Sequence, residues 1–398
     1  MKNFLKIAYS ILLKIILFPL RMFPVENDRI IFSGLTGGHA YEYIGNLKYL
    51  CEHIDNNDPG YFEIIWLVSE PEHYQSQHRD FLFIKHNSFK AFYHLITAKT
   101  IVTSGSYAPW FPFRKNQNLI NTWHGGGLFK KIESEGVHAS ATDKKWAHDV
   151  GANVSLFISS GTLATEMFFR KAFAYKGEIL EVGSPRNDML INGNTKDGIQ
   201  RVREQYQIAD DERIVLYAPT YRQSGADIIL NGTKLLETLS MGGLKWRILF
   251  RTHRYHEVGE SIEVSGDNCI NVANYPDMQE LLAAADMVIT DYSSLIWDYS
   301  LLNKPGFLYV PDVKDYEIDP GFYLDIDKWP FAAATSNEEL LELIKQYDAT
   351  KAQKRIEDYH QMMGSCEQGQ ACEKITEWII KKSRGQQQTV LRKDDNIE

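Results

Sequence analysis

The chain has 398 residues and a formal charge of −9, with 44% hydrophobic and 24% charged residues. Those fractions describe a folded protein too long for one ordinary core, so two domains are expected, and the acidic balance excludes a general nucleic-acid binder while allowing a local basic cleft. The four cysteines, Cys51, Cys269, Cys366 and Cys372, have neither metal-ligand nor redox spacing, which predicts reduced thiols in a cytosolic compartment.

Residues 1–27 depart from that picture. The run from Phe4 to Leu20 is mostly Leu, Ile and Phe, interrupted by Lys6 and Lys14. At about 100° per residue, Lys2, Lys6, Ser10, Lys14 and Arg21 share a sector of roughly 120°, which predicts an amphipathic helix with a cationic stripe. Such a helix lies in the plane of an anionic bilayer. A lysine within the apolar run and the lack of a small-residue cleavage site oppose a secretory signal, and Pro19 and Pro24 end the segment early for a membrane span.

From Asp28 the pattern alternates. Buried-type strands are expected at residues 29–33, 62–68, 81–84, 99–103, 118–123, 154–159 and 178–182, with helical stretches such as 41–53 between them. Strand, helix, strand in repetition implies parallel pairing and a doubly wound α/β sheet, here over residues 28–195. The glycine turn at 34–38 has the wrong spacing for a dinucleotide fingerprint and reads as a cleft-lining loop. A polar stretch at 192–197 precedes a second unit, residues 196–383, with a helix at 198–207, strands at 214–217, 247–251, 269–272 and 287–290, and a helix at 295–302. Closing helices are expected at 336–346, 351–363 and 372–383, the last crossing back onto the first domain. Residues 384–398 are polar and expected to be disordered. Two Rossmann-like domains in tandem put both sets of strand C-termini on one interdomain cleft, where ligands bind in such folds.

The chemistry clusters at those strand ends. His124 follows the strand at 118–123 and precedes Gly125, Gly126, Gly127 and Lys130; a histidine there can take a proton from an attacking hydroxyl at neutral pH. A glycine turn beside a structural histidine is the bland reading. In the second half, Thr220-Tyr221-Arg222 offers a hydroxyl, an aromatic plane and a guanidinium. Arg251-Thr252-His253-Arg254 offers charge-assisted donors suited to a pyrophosphate. The run Thr290-Asp291-Tyr292-Ser293-Ser294 opens a helix, an anion-binding position in general, although Ser293 or Ser294 also suits an ordinary N-cap.

Thr122-Trp123-His124-Gly125, Gly183-Ser-Pro-Arg186-Asn187-Asp188, Ala218-Pro219-Thr220-Tyr221-Arg222, Arg251-Thr252-His253 and Thr290-Asp291-Tyr292-Ser293-Ser294 occur in an order and spacing that resemble the CDP-glycerol glycerophosphotransferase family. The later run from Asp298 through Lys304-Pro305, Tyr309, Asp312, Tyr316, Gly321, Tyr323 and Asp325 is similar to that family's C-terminal signature, and the likeness covers about residues 30 to 360. The resemblance implies a GT-B fold with neither metal nor cofactor, peripheral at the cytoplasmic face of the cell membrane. It implies transfer of glycerol phosphate or ribitol phosphate from a CDP-activated donor to a lipid-linked saccharide or a growing teichoic acid or capsule polymer, with release of CMP. It leaves open a homo-oligomer or an assembly with other polymer-synthesis enzymes.

In the roles that follow, His124 is the acceptor-side base and His253 the second catalytic histidine. Thr220, Tyr221, Arg222, Arg251, Asp291, Ser293, Ser294 and Asp298 hold the donor. Gly125, Gly126, Gly127 and Lys130 leave room for the acceptor, and Arg186 and Asp188 sit at the hinge of the cleft. Two positions depart from the family pattern: Gly126 and Gly127 replace a Thr-Pro pair, and Arg254 replaces a proline after His253. The alternative is a GT-B glycosyltransferase using a nucleotide sugar; a silent membrane-bound scaffold is the reading from a different class.

Overall fold

A computed structural model describes residues 15–35, 40–76, 78, 80–108, 111–132, 134–136, 138–220, 228–251, 261–264 and 267–384. Most of the expected membrane helix, the tip of the glycine turn at 36–39, Tyr221, Arg222, Thr252, His253, Arg254 and the polar tail lie outside the described residues.

Seven strands build the first sheet: β1 (Glu26–Ser33), β2 (Glu63–Val68), β3 (Leu82–Lys85), β4 (Ala98–Thr103), β5 (Asn118–Asn121), β6 (Leu156–Ser159) and β7 (Glu178–Glu181). All pair in parallel, in the order β3-β2-β1-β4-β5-β6-β7. Ile31 sits in register with Ile65 on one side and Ile101 on the other. Apolar runs such as Ile-Ile-Trp-Leu-Val in β2 are buried on both faces, as a parallel sheet covered by helices requires.

The second half adds β8 (Glu212–Ala218), β9 (Leu230–Asn231), β10 (Lys245–Phe250), β11 (Ile262–Glu263), β12 (Cys269–Asn271), β13 (Met287–Thr290), β14 (Gly306–Tyr309) and β15 (Ala332–Ala334). A parallel sheet runs β12-β10-β8-β13-β14-β15, and β9 pairs with β11 separately. The α/β class with parallel sheets is therefore as expected, but β14 and β15 are strands that the sequence pattern did not offer. Both are short, and Ala332–Ala334 has neither β-branched nor aromatic side chains to mark it.

The chain passes between the sheets twice. After the second sheet it returns in the helix Ala371–Arg384, whose Cys372, Ile375, Trp378 and Ile379 share a core with Ile30, Phe32, Ile64 and Trp66 of the first. The two passages touch: Asn192 donates to the Gly369 carbonyl at 2.8 Å. Direct pairs also join the halves. Lys48, on the helix Gly45–Asn57, lies 2.6 Å from Asp277, which accepts from the Tyr49 hydroxyl as well (2.9 Å) and caps the helix Met278–Ala284.

Candidate active site between the two sheets

β5 ends at Asn121, two residues earlier than the apolar run suggests, because Trp123 adopts a left-handed φ of 53°. That conformation is costly for a bulky residue and persists when the surroundings fix it. Here Asn121 Oδ1 accepts from the Trp123 amide (2.9 Å), and Asn46 donates to the Thr122 and Trp123 carbonyls at 3.3 and 3.0 Å. The Trp123 ring packs against Phe168. The turn then aims His124 out of the sheet and into the gap between the domains.

His124 Nδ1 lies 3.1 Å from the carbonyl oxygen of Ser104. A carbonyl can only accept, so Nδ1 carries the proton and Nε2 keeps its lone pair. Desolvation by the surrounding protein, with the charges of Arg186 and Lys130, outweighs the Ser104 bond and lowers the pKa to about 4, although the residue itself remains open to the cleft. At neutral pH the ring is uncharged and able to accept a proton.

The three glycines after it are set by the other domain. A Cβ on Gly125 would lie 2.7 Å from Ser294 Cβ, one on Gly126 would lie 2.0 Å from Trp297 Cδ1, and one on Gly127 would lie 2.8 Å from Trp297 Cε3. All three glycines line the cleft, and their bare backbones also admit Ser294 and Trp297. They let the first domain's loop lie against the short helix Leu295–Ser300 of the second. The Gly127 amide also donates to Ser160 Oγ at 3.1 Å.

A cleft of about 410 Å³ results, lined by His124, Lys130, Thr220, Ser293, Ser294 and Tyr323 among others. Of the residues expected to hold the donor, Thr220, Ser293 and Ser294 thus face it. Ser293 Oγ also accepts from the Leu295 amide (3.3 Å), closing the turn that starts the helix.

Three others have structural duties away from the lining. Asp291 is buried and accepts from the Thr220 amide and hydroxyl, the latter at 2.6 Å, so it staples the ends of β8 and β13 together. Arg251 donates to the carbonyls of Val272 and Tyr275 at 3.2 and 2.6 Å. Asp298, expected from the resemblance to hold the donor, is 1% exposed and bonded to Arg186 (2.7 Å) and Gln279 (3.0 Å).

The hinge residues are anchored between domains. Arg186 donates to the His124 carbonyl at 2.8 Å while pairing with Asp298, so one guanidinium fixes the histidine loop to the opposite helix. Asp188 accepts from the amides of Ala371 and Cys372 (3.1 and 2.8 Å) at the start of the returning helix, and burial raises its pKa. Glu367 was not foreseen. It accepts from Trp297 Nε1 (2.7 Å), the Ser184 amide (3.1 Å) and Asn187 (3.1 Å), and burial pushes its pKa up to about 7. It lies in a polar turn between two helices, where no local pattern separates a structural carboxylate from a solvated one.

A family model described as CDP-Glycerol:Poly(glycerophosphate) glycerophosphotransferase matches residues 16–381. The chain belongs to this family. Among its relatives in the glycerophosphotransferase family, the teichoic acid poly(glycerol phosphate) polymerase of Bacillus spizizenii is 28% identical over 389 residues, covering 94% of this chain and 96% of the relative. The teichoic acid glycerol-phosphate transferase of Staphylococcus aureus is 27% identical over 90% of this chain and 94% of its own length. A solved structure of the wall teichoic acid polymerase TagF matches with a TM-score of 0.78 at 25% identity, over 96% of this chain and 98% of that one. The likeness covers 96% of this chain and so takes in both of its parallel sheets.

Proposed function

We propose that the protein transfers a polyol phosphate from a CDP-activated donor to an acceptor hydroxyl in teichoic acid synthesis, releasing CMP. The observation that carries the reading is His124: a neutral imidazole with Nε2 free, facing Thr220, Ser293 and Ser294 across the cleft of a glycerophosphotransferase-family chain. The acceptor oxygen attacks the phosphorus that bears the polyol, and its proton passes to His124 Nε2. The new O–P bond replaces the anhydride bond, whose electrons leave with CMP. Positioning and charge stabilisation dominate phosphoryl transfer, so the hydroxyls and amides around Ser293 and Ser294 are assigned to the transferring group. Tyr221, Arg222 and His253 are assigned to the leaving pyrophosphate side, because these residues follow the C-terminal ends of β8 and β10 in sequence, while Arg251 ties the end of β10 to the Val272 and Tyr275 carbonyls beside them.

The two domains correspond to a GT-B architecture, the first serving the acceptor and the second the donor. We assign the protein to the cytoplasmic face of the membrane as a peripheral enzyme. Support comes from the short helical segment ending in Phe18–Met22, where Ile15, Phe18 and Met22 are 65%, 67% and 86% exposed beside Arg21. Among the described residues no helix is long and apolar enough to cross a membrane. The deciding experiment supplies a defined lipid-linked acceptor with CDP-glycerol, CDP-ribitol or a panel of UDP-sugars and follows product mass and released nucleotide. CMP release with a polyol-phosphate mass gain is expected; UDP release with a hexose gain would replace this reading with a glycosyltransferase.

A further inference from the structure

Beside the catalytic cleft lies a second cavity of about 500 Å³, lined by Lys131, Ser134, Glu135, Lys144, Lys171 and Tyr323 among others. Lys131 and Tyr323 line the first cleft as well, so the two spaces adjoin. Both domains build the wall between them: Lys130 and Phe322 form an antiparallel bridge, the Lys131 amide donates to the Gly321 carbonyl (3.0 Å), and the Tyr323 amide donates to that of Phe129 (2.9 Å).

The charge inside is one-sided. Three lysines face one carboxylate, Glu135, which already accepts from the Tyr323 hydroxyl at 2.5 Å and has Lys171 Nζ 3.8 Å away. Ser134 is 5% exposed, and its hydroxyl has no hydrogen-bond partner among the described residues. Lysines on an open face are ordinarily just solvated. Gathered around a concavity with a buried, unsatisfied hydroxyl, they fit an anion rich in oxygen acceptors. The lysines and Ser134 belong to the first domain, whereas the residues assigned to the donor belong to the second.

We propose that this cavity holds the phosphodiester backbone of the acceptor, behind the terminal hydroxyl presented to His124. The inference rests on the phosphotransfer reading above and adds to it where the anionic acceptor lies. Lys131 Nζ serves both spaces, and Lys144 and Lys171 neutralise phosphates further from the reacting end.

The test uses the full chain and glycerol phosphate oligomers of increasing length with a free terminal hydroxyl. Wild-type affinity is expected to rise with oligomer length and to weaken with salt. In K144E/K171E the Kd for the longer oligomers rises roughly tenfold or more and the length dependence flattens, while the Kd for CDP-glycerol is unchanged. An unchanged oligomer Kd overturns the inference, and so does an equal loss of CDP-glycerol affinity, which would give the cavity to the donor. Transfer assays separate the two readings. If the wild type moves no polyol phosphate from CDP-glycerol or CDP-ribitol to any oligomer, the functional reading fails; if it does while the variant binds oligomers normally, only the acceptor cavity fails.

Discussion

His124 holds its proton on the side of Ser104 and offers the other nitrogen to the cleft. Replacing it by Ala removes the proton acceptor but no contact on the donor side. Turnover is expected to fall by about 10²- to 10⁴-fold with the Kd for CDP-glycerol nearly unchanged; normal turnover with lost donor affinity would remove the residue from its role. Protonation silences a base, so activity should fall as pH drops through about 4, the value to which desolvation by the surrounding protein lowers this imidazole. An acidic limb near 6.5 in the pH profile of kcat/KM would mean that the ring is an ordinary solvated histidine. Asp298 teaches the opposite lesson at the same scale. The resemblance puts this acidic residue near a helix start among the donor contacts, yet its partner is Arg186, far away in sequence and out of reach of any local pattern.

Between elements, one close fit is the glycine loop against the helix Leu295–Ser300. Gly126→Ala would drive a methyl into the Trp297 ring, and overpacking of this kind costs about 1–3 kcal/mol. Denaturant unfolding should show that loss, and Trp297→Leu in the same chain should recover part of it, since contacting residues are not additive. Full additivity would mean that the two do not touch. The strands were legible because parallel strands buried on both faces are continuous apolar runs; Ile30 to Phe32 and Ile64 to Val68 announce themselves. The strands β14 and β15 were not: Gly306 opens the first, and Ala332–Ala334 carries no β-branched or aromatic side chain. At the site, the position of His124 after β5 followed from the sequence, but the meaning of Gly125 to Gly127 did not. Absent side chains look alike whether they leave room for a substrate or for Ser294 and Trp297.

Across the whole molecule, stability should depend on the interdomain ion pair. Arg186 and Asp298 have side chains 12% and 2% exposed, and breaking a buried pair by removing one partner costs about 3–5 kcal/mol because the other charge stays buried. Arg186→Ala should show that loss in unfolding experiments, and the double variant R186M/D298L should lose less. Acid should act as well. Desolvation by the surrounding protein lowers His94, His124 and His360 each to about 4, so the unfolded chain takes up protons first as pH falls below about 6.5 and stability drains away towards pH 4. Glu367 works the other way: raised to about 7, it favours the folded state at low pH and stops doing so as pH rises through 7. The lowered histidines, His78 and His86 among them, outnumber the raised carboxyls Glu367, Asp188 and Glu52, so the Tm should fall between pH 6.5 and 4, more steeply in Glu367→Gln and less steeply in His360→Gln. A flat Tm over that range would contradict the desolvated, neutral state of these rings.

The returning helix Ala371–Arg384 bears on the order in which the chain can fold as it is synthesised. Domains ordinarily complete themselves from the N-terminal end while the rest is still being made. Here the apolar face formed by Ile30, Phe32, Ile64 and Trp66 waits for Cys372, Ile375, Trp378 and Ile379, which emerge after the entire second sheet. The sheet made first is therefore the one finished last, and a nascent chain stopped before residue 371 leaves part of that face, beside the helix Gly45–Asn57, uncovered to whatever holds it at the ribosome.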